Sequence, residues 1–138
     1  MPDWRSYDEF QVGDRFPETP YCYVVSAAAV SDLRALTAAA RGADAPTEFE
    51  FAPPMLAAIY IRGAQNALRG PPGGIHAKQR FQFLKPVAVG DTLETTLTVT
   101  DKYERKGRRY VVSETLTVNQ HGDEVTRGEI VSIWGGQK

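Results

Sequence analysis

The sequence predicts an α+β domain in which a curved antiparallel sheet wraps around a long central helix, and three observations predict it. Apolar residues recur at helical spacing through the first half of the chain and alternate with polar ones through the second. A run of glycine and proline, Gly70-Pro71-Pro72-Gly73-Gly74, marks the change of period. The 138 residues are enough for one domain with one core, taken as 1–138. A composition of 42% apolar and 24% charged residues belongs to a globular chain, not a disordered one.

The elements follow in order. Pro17 to Val25 reads as a strand, with Tyr21, Tyr23 and Val25 on one face and Cys22 and Val24 on the other. Ser26 is placed to cap a helix from Ala27 to Arg41, in which Val30, Leu33, Leu36, Thr37 and Ala40 share a face on an alanine background that favours helix. Gly42 ends it. Pro53-Pro54 opens a second, shorter helix through Met55, Leu56, Ile59, Tyr60 and Ala67 to Arg69, since proline suits the first helical turn. Four strands follow. Ala77, Phe81 and Phe83 alternate with Lys78, Arg80 and Gln82, and Leu93, Leu97, Val99 and Tyr103 oppose Thr92, Thr96, Thr98 and Thr100. Tyr110, Val112, Leu116 and Val118 read as the apolar face of the next strand, and Val125, Val131 and Ile133 as that of the last. The alternation slips near Gly128, which predicts a bulge there. Gly107 and Asn119-Gln120-His121-Gly122 read as hairpin turns. A sheet with one apolar face must cover it, and the alanine-rich helix is the expected cover. The architecture is α+β of the hot-dog type.

Charge and cysteine content narrow the function. Sixteen Lys and Arg against seventeen Asp and Glu leave a net charge of −1, with no broad positive field for nucleic acid. Cys22 stands alone, which excludes an internal disulfide and a multi-cysteine metal site and fits a reducing, cytoplasmic compartment. Met1-Pro2-Asp3-Trp4-Arg5 has no signal-peptide pattern, and the apolar stretches are broken by Asp32, Arg34 and Arg62, so no membrane span is expected.

The segment from His76 to Leu93 contains Phe83, Pro86, Gly90, Asp91 and Leu93 in a Phe-x-x-Pro-x-x-x-Gly-Asp-x-Leu spacing, which resembles a stretch of the MaoC-like acyl dehydratases. Phe10-Gln11-Val12-Gly13-Asp14-Arg15-Phe16 resembles their N-terminal motif, and Asn119, Gly122 and Val125 their Asn-x-x-Gly-x-x-Val turn. Ala52-Pro53-Pro54-Met55 is similar to an element of the branch resembling the fatty acid synthase type I-like dehydratase N-terminal domain. The resemblance implies a hot-dog fold, an acyl-thioester ligand, and hydration or dehydration of a 2-enoyl-CoA. It implies no cofactor beyond the coenzyme A of the substrate itself.

Active members carry Gly-Asp-x-Asn-Pro-x-His after a helix, where carboxylate and imidazole act on one water. This chain has Gly42-Ala43-Asp44-Ala45-Pro46-Thr47-Glu48, with Ala43 at the aspartate and Glu48 at the histidine. The remaining catalytic candidates are Asp44, one residue displaced, and Glu48, with Glu50 beside it as a thioesterase-like carboxylate. A turn aspartate after a helix end is the simpler reading of Asp44, and an exposed edge with Phe49 and Phe51 turned inward that of Glu48 and Glu50.

Candidate substrate-binding residues are Pro53, Pro54 and Met55 at the helix start, His76 before the second strand, and Arg108 and Arg109 in a basic hairpin with Arg105 and Lys106. The arginines suit coenzyme A phosphates, while a charged turn also serves solubility. His76 equally suits a bond to a backbone carbonyl, His121 a solvated turn, and Cys22 packing. The expected role is a non-catalytic subunit that forms an acyl-CoA pocket in a heteromeric enoyl-CoA hydratase. The alternative is an active homo-oligomeric hydratase or thioesterase using Asp44 or Glu48. Either way a dimer is expected that extends the sheet, because a lone sheet leaves an edge unpaired.

Overall fold

A computed structural model describes residues 3–42 and 50–136. Strand β1 (Arg15–Val24) leads to helix α1 (Ala27–Arg41), then a 3₁₀ turn (Pro54–Leu56) running into α2 (Ala57–Tyr60) and α3 (Arg62–Asn66). Strands β2 (Ile75–Phe83), β3 (Thr92–Arg105), β4 (Arg108–Val118) and β5 (Glu124–Ile133) complete the chain. All five strands form one antiparallel sheet in the order β1-β3-β4-β5-β2. The boundaries follow the expected local chemistry. Ser26 Oγ accepts from the Ala29 N–H at 3.1 Å, and Gly42 ends α1 in the left-handed region at φ 68°. Lys106 and Gly107, both at positive φ, make the tight β3–β4 hairpin.

The core corrects the assignment of the central helix. The segment from Pro54 to Leu68 buries Leu56, Ala57, Tyr60, Ile61, Ala64 and Leu68. Its first turns pack with Leu93, Val125 and Ile130, and its last with Phe10, Leu97, Val111 and Trp134. It therefore spans the whole concave face of the sheet. Among its described residues the alanine-rich α1 buries only Val30, with Leu33 partly covered, while Leu36 is 70% exposed. Alanine stabilises a helix without needing a core, so the better helix former is the peripheral one. Strand β1 crosses the central segment at Gly63, where a methyl group would overlap the Tyr21 ring.

Further expectations change. In β4 the residues facing the central segment are Val111, Ser113, Thr115 and Thr117, and not Tyr110, Val112, Leu116 and Val118. Ser113, Thr115 and Thr117 lie opposite the inward-facing Val99, Leu97 and Thr95 of β3, and cross-strand partners share a face. The bulge expected near Gly128 lies at Val125 instead: Thr117 pairs with Thr126 and Val118 with Glu124, leaving Val125 without an opposite partner in β4. Both Val125 and Thr126 are consequently buried. Cys22, expected to pack, is exposed, and so is Phe51 at 44%. Among the described residues no helix is long and apolar enough to cross a membrane.

Candidate functional site

A cavity of about 290 Å³ opens at the N-terminal end of the central segment. One wall is Ala52, Pro53 and Pro54, the other is Phe83 to Val87 where the chain leaves β2, and Tyr60 and Thr126 lie between them. Backbone bonds hold the walls in place. The Ala52 N–H donates to the Val87 carbonyl at 2.7 Å and the Val89 N–H to the Glu50 carbonyl at 2.9 Å. Leu84 and Lys85 donate to the Val125 carbonyl at 2.9 and 3.3 Å, which folds the end of β2 over the bulge. The bulge in turn brings Thr126 into the cavity while Val125 stays in the core, a common use of an extra residue beside a site.

The cavity is mainly apolar, with two hydroxyls. Tyr60, 2% exposed, and Thr126, 1% exposed, lie with Oη and Oγ1 2.5 Å apart. Burial pushes the Tyr60 phenol up from its ordinary range, and the bond with Thr126 opposes this only in part. The phenol is therefore protonated at neutral pH. Among the described residues the one charged group in the lining, Lys85, pairs with Asp123 at 3.3 Å.

The other predicted residues are scattered. Asp44 and Glu48 lie outside the described residues, and Glu50 is exposed. Pro53 and Pro54 line the cavity, whereas Met55 does not and is 58% exposed. His76 belongs to a second, more open hollow of about 520 Å³ at the far end of the central segment, beside the Gly70–Gly74 turn. Its Nδ1 lies 3.0 Å from Gln65 Nε2, so a side chain takes the place of the expected carbonyl partner. Arg109 pairs with Glu104 at 2.8 Å and Asp8 at 3.8 Å and lies over the Tyr7 ring, pinning the N-terminal turn. Arg108 is exposed at the hairpin tip. It lies nine positions along β4 from Thr117, the neighbour of Thr126, a distance of about 30 Å along an extended strand. One chain therefore does not bring the arginines to the cavity. Among the described residues no three His, Cys, Asp or Glu side chains group to hold a metal.

Sequence reasoning missed the role of Tyr60 and Thr126. The signal for Tyr60 was a tyrosine within a buried helical stripe, whose hydroxyl needs a partner. Thr126 gave none, since its direction depends on the bulge.

Residues 19–127 match the family described as the FAS1-like, dehydratase domain region. The chain belongs to this family. No curated protein matches it. Among solved structures, the unliganded R-hydratase PhaJ1 from Pseudomonas aeruginosa is 25% identical, with TM-score 0.72 over 95% of this chain and 86% of that one. A MaoC-like dehydratase from Rhodospirillum rubrum is 22% identical, with TM-score 0.73 over 96% and 98% of the two chains. The C-terminally truncated HadBC (3R-hydroxyacyl-ACP dehydratase) complex from Mycobacterium tuberculosis is 22% identical, with TM-score 0.68 over 88% and 96%. The FAS1-like dehydratase region thus has the hot-dog fold of MaoC-like hydratases and dehydratases in this chain, with the sheet curved around the Pro54–Leu68 segment.

Proposed function

We propose that this chain is the non-catalytic, acyl-CoA-pocket-forming subunit of a heteromeric MaoC-like enoyl-CoA hydratase or dehydratase. One observation carries the reading. The cavity beside Pro53-Pro54 is lined by apolar residues, Tyr60, Thr126 and a paired lysine, while Gly42–Glu48 in the sequence lacks the family's catalytic aspartate and histidine. Such a surface suits an acyl chain and, among the described residues, offers no carboxylate or imidazole to activate water. The base and the imidazole come from a partner with an intact Gly-Asp-x-Asn-Pro-x-His.

The sheet edges support a side-by-side pairing. Strand β1 carries Pro17 and Pro20, which cannot donate to a new ladder. Strand β2 has no proline and leaves Ile75 and Phe83 at 52% and 45% exposure, so it is the edge able to accept a second sheet. A heteromeric relative of the same fold exists in the HadBC complex.

The test is hydration of crotonyl-CoA by the purified chain, by a MaoC-like chain with the intact motif, and by the two co-expressed, with size measured in parallel. The expected result is no turnover by this chain alone and a mixed dimer with higher activity than the partner alone. Turnover by this chain alone that is lost in Asp44→Asn or Glu48→Gln overturns the reading in favour of a homo-oligomeric enzyme.

A further inference from the structure

We infer that the paired hydroxyls of Tyr60 and Thr126 donate a hydrogen bond to an acceptor oxygen of the acyl group that enters the cavity between Pro53-Pro54 and Phe83–Val87. The inference rests on the acyl-pocket reading and adds what the pocket recognises.

The argument is one of proton counting. Two hydroxyls carry two hydrogens, and only one can lie between oxygens 2.5 Å apart. The structure gives neither hydroxyl another partner among the described residues, and both Tyr60 and Thr126 are among the residues that line the cavity. One donor therefore stays available to whatever occupies the space. A hydroxyl that accepts from another hydroxyl is also the better donor for it.

The walls supply little else. Pro53, Pro54 and Pro86 have no N–H, and those of Ala52, Leu84 and Lys85 already serve backbone carbonyls. The ammonium of Lys85 is held by Asp123. A purely alkyl group would leave the free hydroxyl hydrogen buried and unmatched, which disfavours it relative to an acyl group with oxygen at that point. That oxygen is either the thioester carbonyl or a second oxygen farther along the chain.

A second pair of hydroxyls separates binding from stability. Thr95 and Thr117, one strand pair away, lie 2.8 Å apart and are buried, but neither lines the cavity.

The test is calorimetric titration of the full chain with butyryl-CoA and acetoacetyl-CoA, which differ by one chain oxygen. Wild type is compared with the double variant Tyr60→Phe/Thr126→Val and with Thr95→Val. Either hydroxyl alone still carries one hydrogen for the ligand, so the double variant is the one that removes the donor, and it is expected to weaken binding about two- to tenfold, the effect of one neutral hydrogen bond. Loss with both ligands assigns the oxygen to the thioester carbonyl, and loss with acetoacetyl-CoA alone assigns it to the chain oxygen. Thr126→Ser keeps both hydroxyls and is expected to retain wild-type affinity, while Thr95→Val lowers thermal stability and leaves affinity unchanged. Should the double variant fail to fold, wild type is titrated with S-butyl-CoA, which lacks the carbonyl, beside the other two ligands, and equal affinity for all three overturns the inference. Wild-type affinity for both ligands in a folded double variant, or an equal loss in Thr95→Val, overturns the inference and leaves the acyl-pocket reading standing. Failure of wild type to bind either ligand overturns both.

Discussion

Helix α1 and the segment from Pro54 to Leu68 invert the usual relation between helix propensity and burial. Helix α1 runs fifteen residues with a serine cap, a glycine stop and seven alanines, and it places a single residue, Val30, fully in the core. The central segment begins on prolines, contains Gly63, and divides into a 3₁₀ turn and two short helices, yet it supplies six buried residues, the tyrosine of the cavity among them. Propensity and capping hold the first together. Burial against the sheet holds the second, because its local sequence would not sustain a helix in water. The segment with least helical character of its own is the one that carries the site.

Substitutions in the two regions sharpen this contrast, and each is read by urea unfolding. The largest effect belongs to Leu56→Ala, which empties a fully buried position and is expected to cost about 2–5 kcal/mol. Gly63→Ala forces a methyl into the Tyr21 ring and is expected to cost about 1–3 kcal/mol. Most of that cost disappears when Tyr21→Ala accompanies it, since the two sites are in contact. Removing the α1 cap with Ser26→Ala removes about 1 kcal/mol. A cost above that of Leu56→Ala would show that α1 is the structural helix after all.

A smaller effect appears only in alkali. Burial raises the Tyr60 phenol in the folded state, so above the unfolded phenol's value near pH 10 the folded chain holds a proton the unfolded chain has lost. This contribution is complete below about pH 10 and falls away as pH rises toward the folded value. Tyr60→Phe is expected to flatten part of that decline. Tyr23 and Tyr7, also raised chiefly by burial, keep the remainder. The smallest effect is that of Leu36→Ala on the exposed face of α1, within about 0.5 kcal/mol.

The sequence by itself determined the order of elements, the Ser26 and Gly42 caps, the Gly107 and Asn119–Gly122 turns, and the motifs of the family. All of these depend on residues within a few positions of one another. Asn119 illustrates this: its Oδ1 accepts from the N–H groups of His121 and Asp123, wholly within the turn. The outward threonines of β3 were legible for the same reason, since alternation is local. Only the tertiary structure decided which helix the sheet encloses, which face of β4 turns inward, and that Tyr60 meets Thr126. A shift of one residue in strand pairing exchanges the two faces, so the threonines of β4 became core through their partners on β3. The single unpaired residue at Val125 did the same for Thr126. Such registers are set by contacts between distant parts of the chain, and no local pattern specifies them.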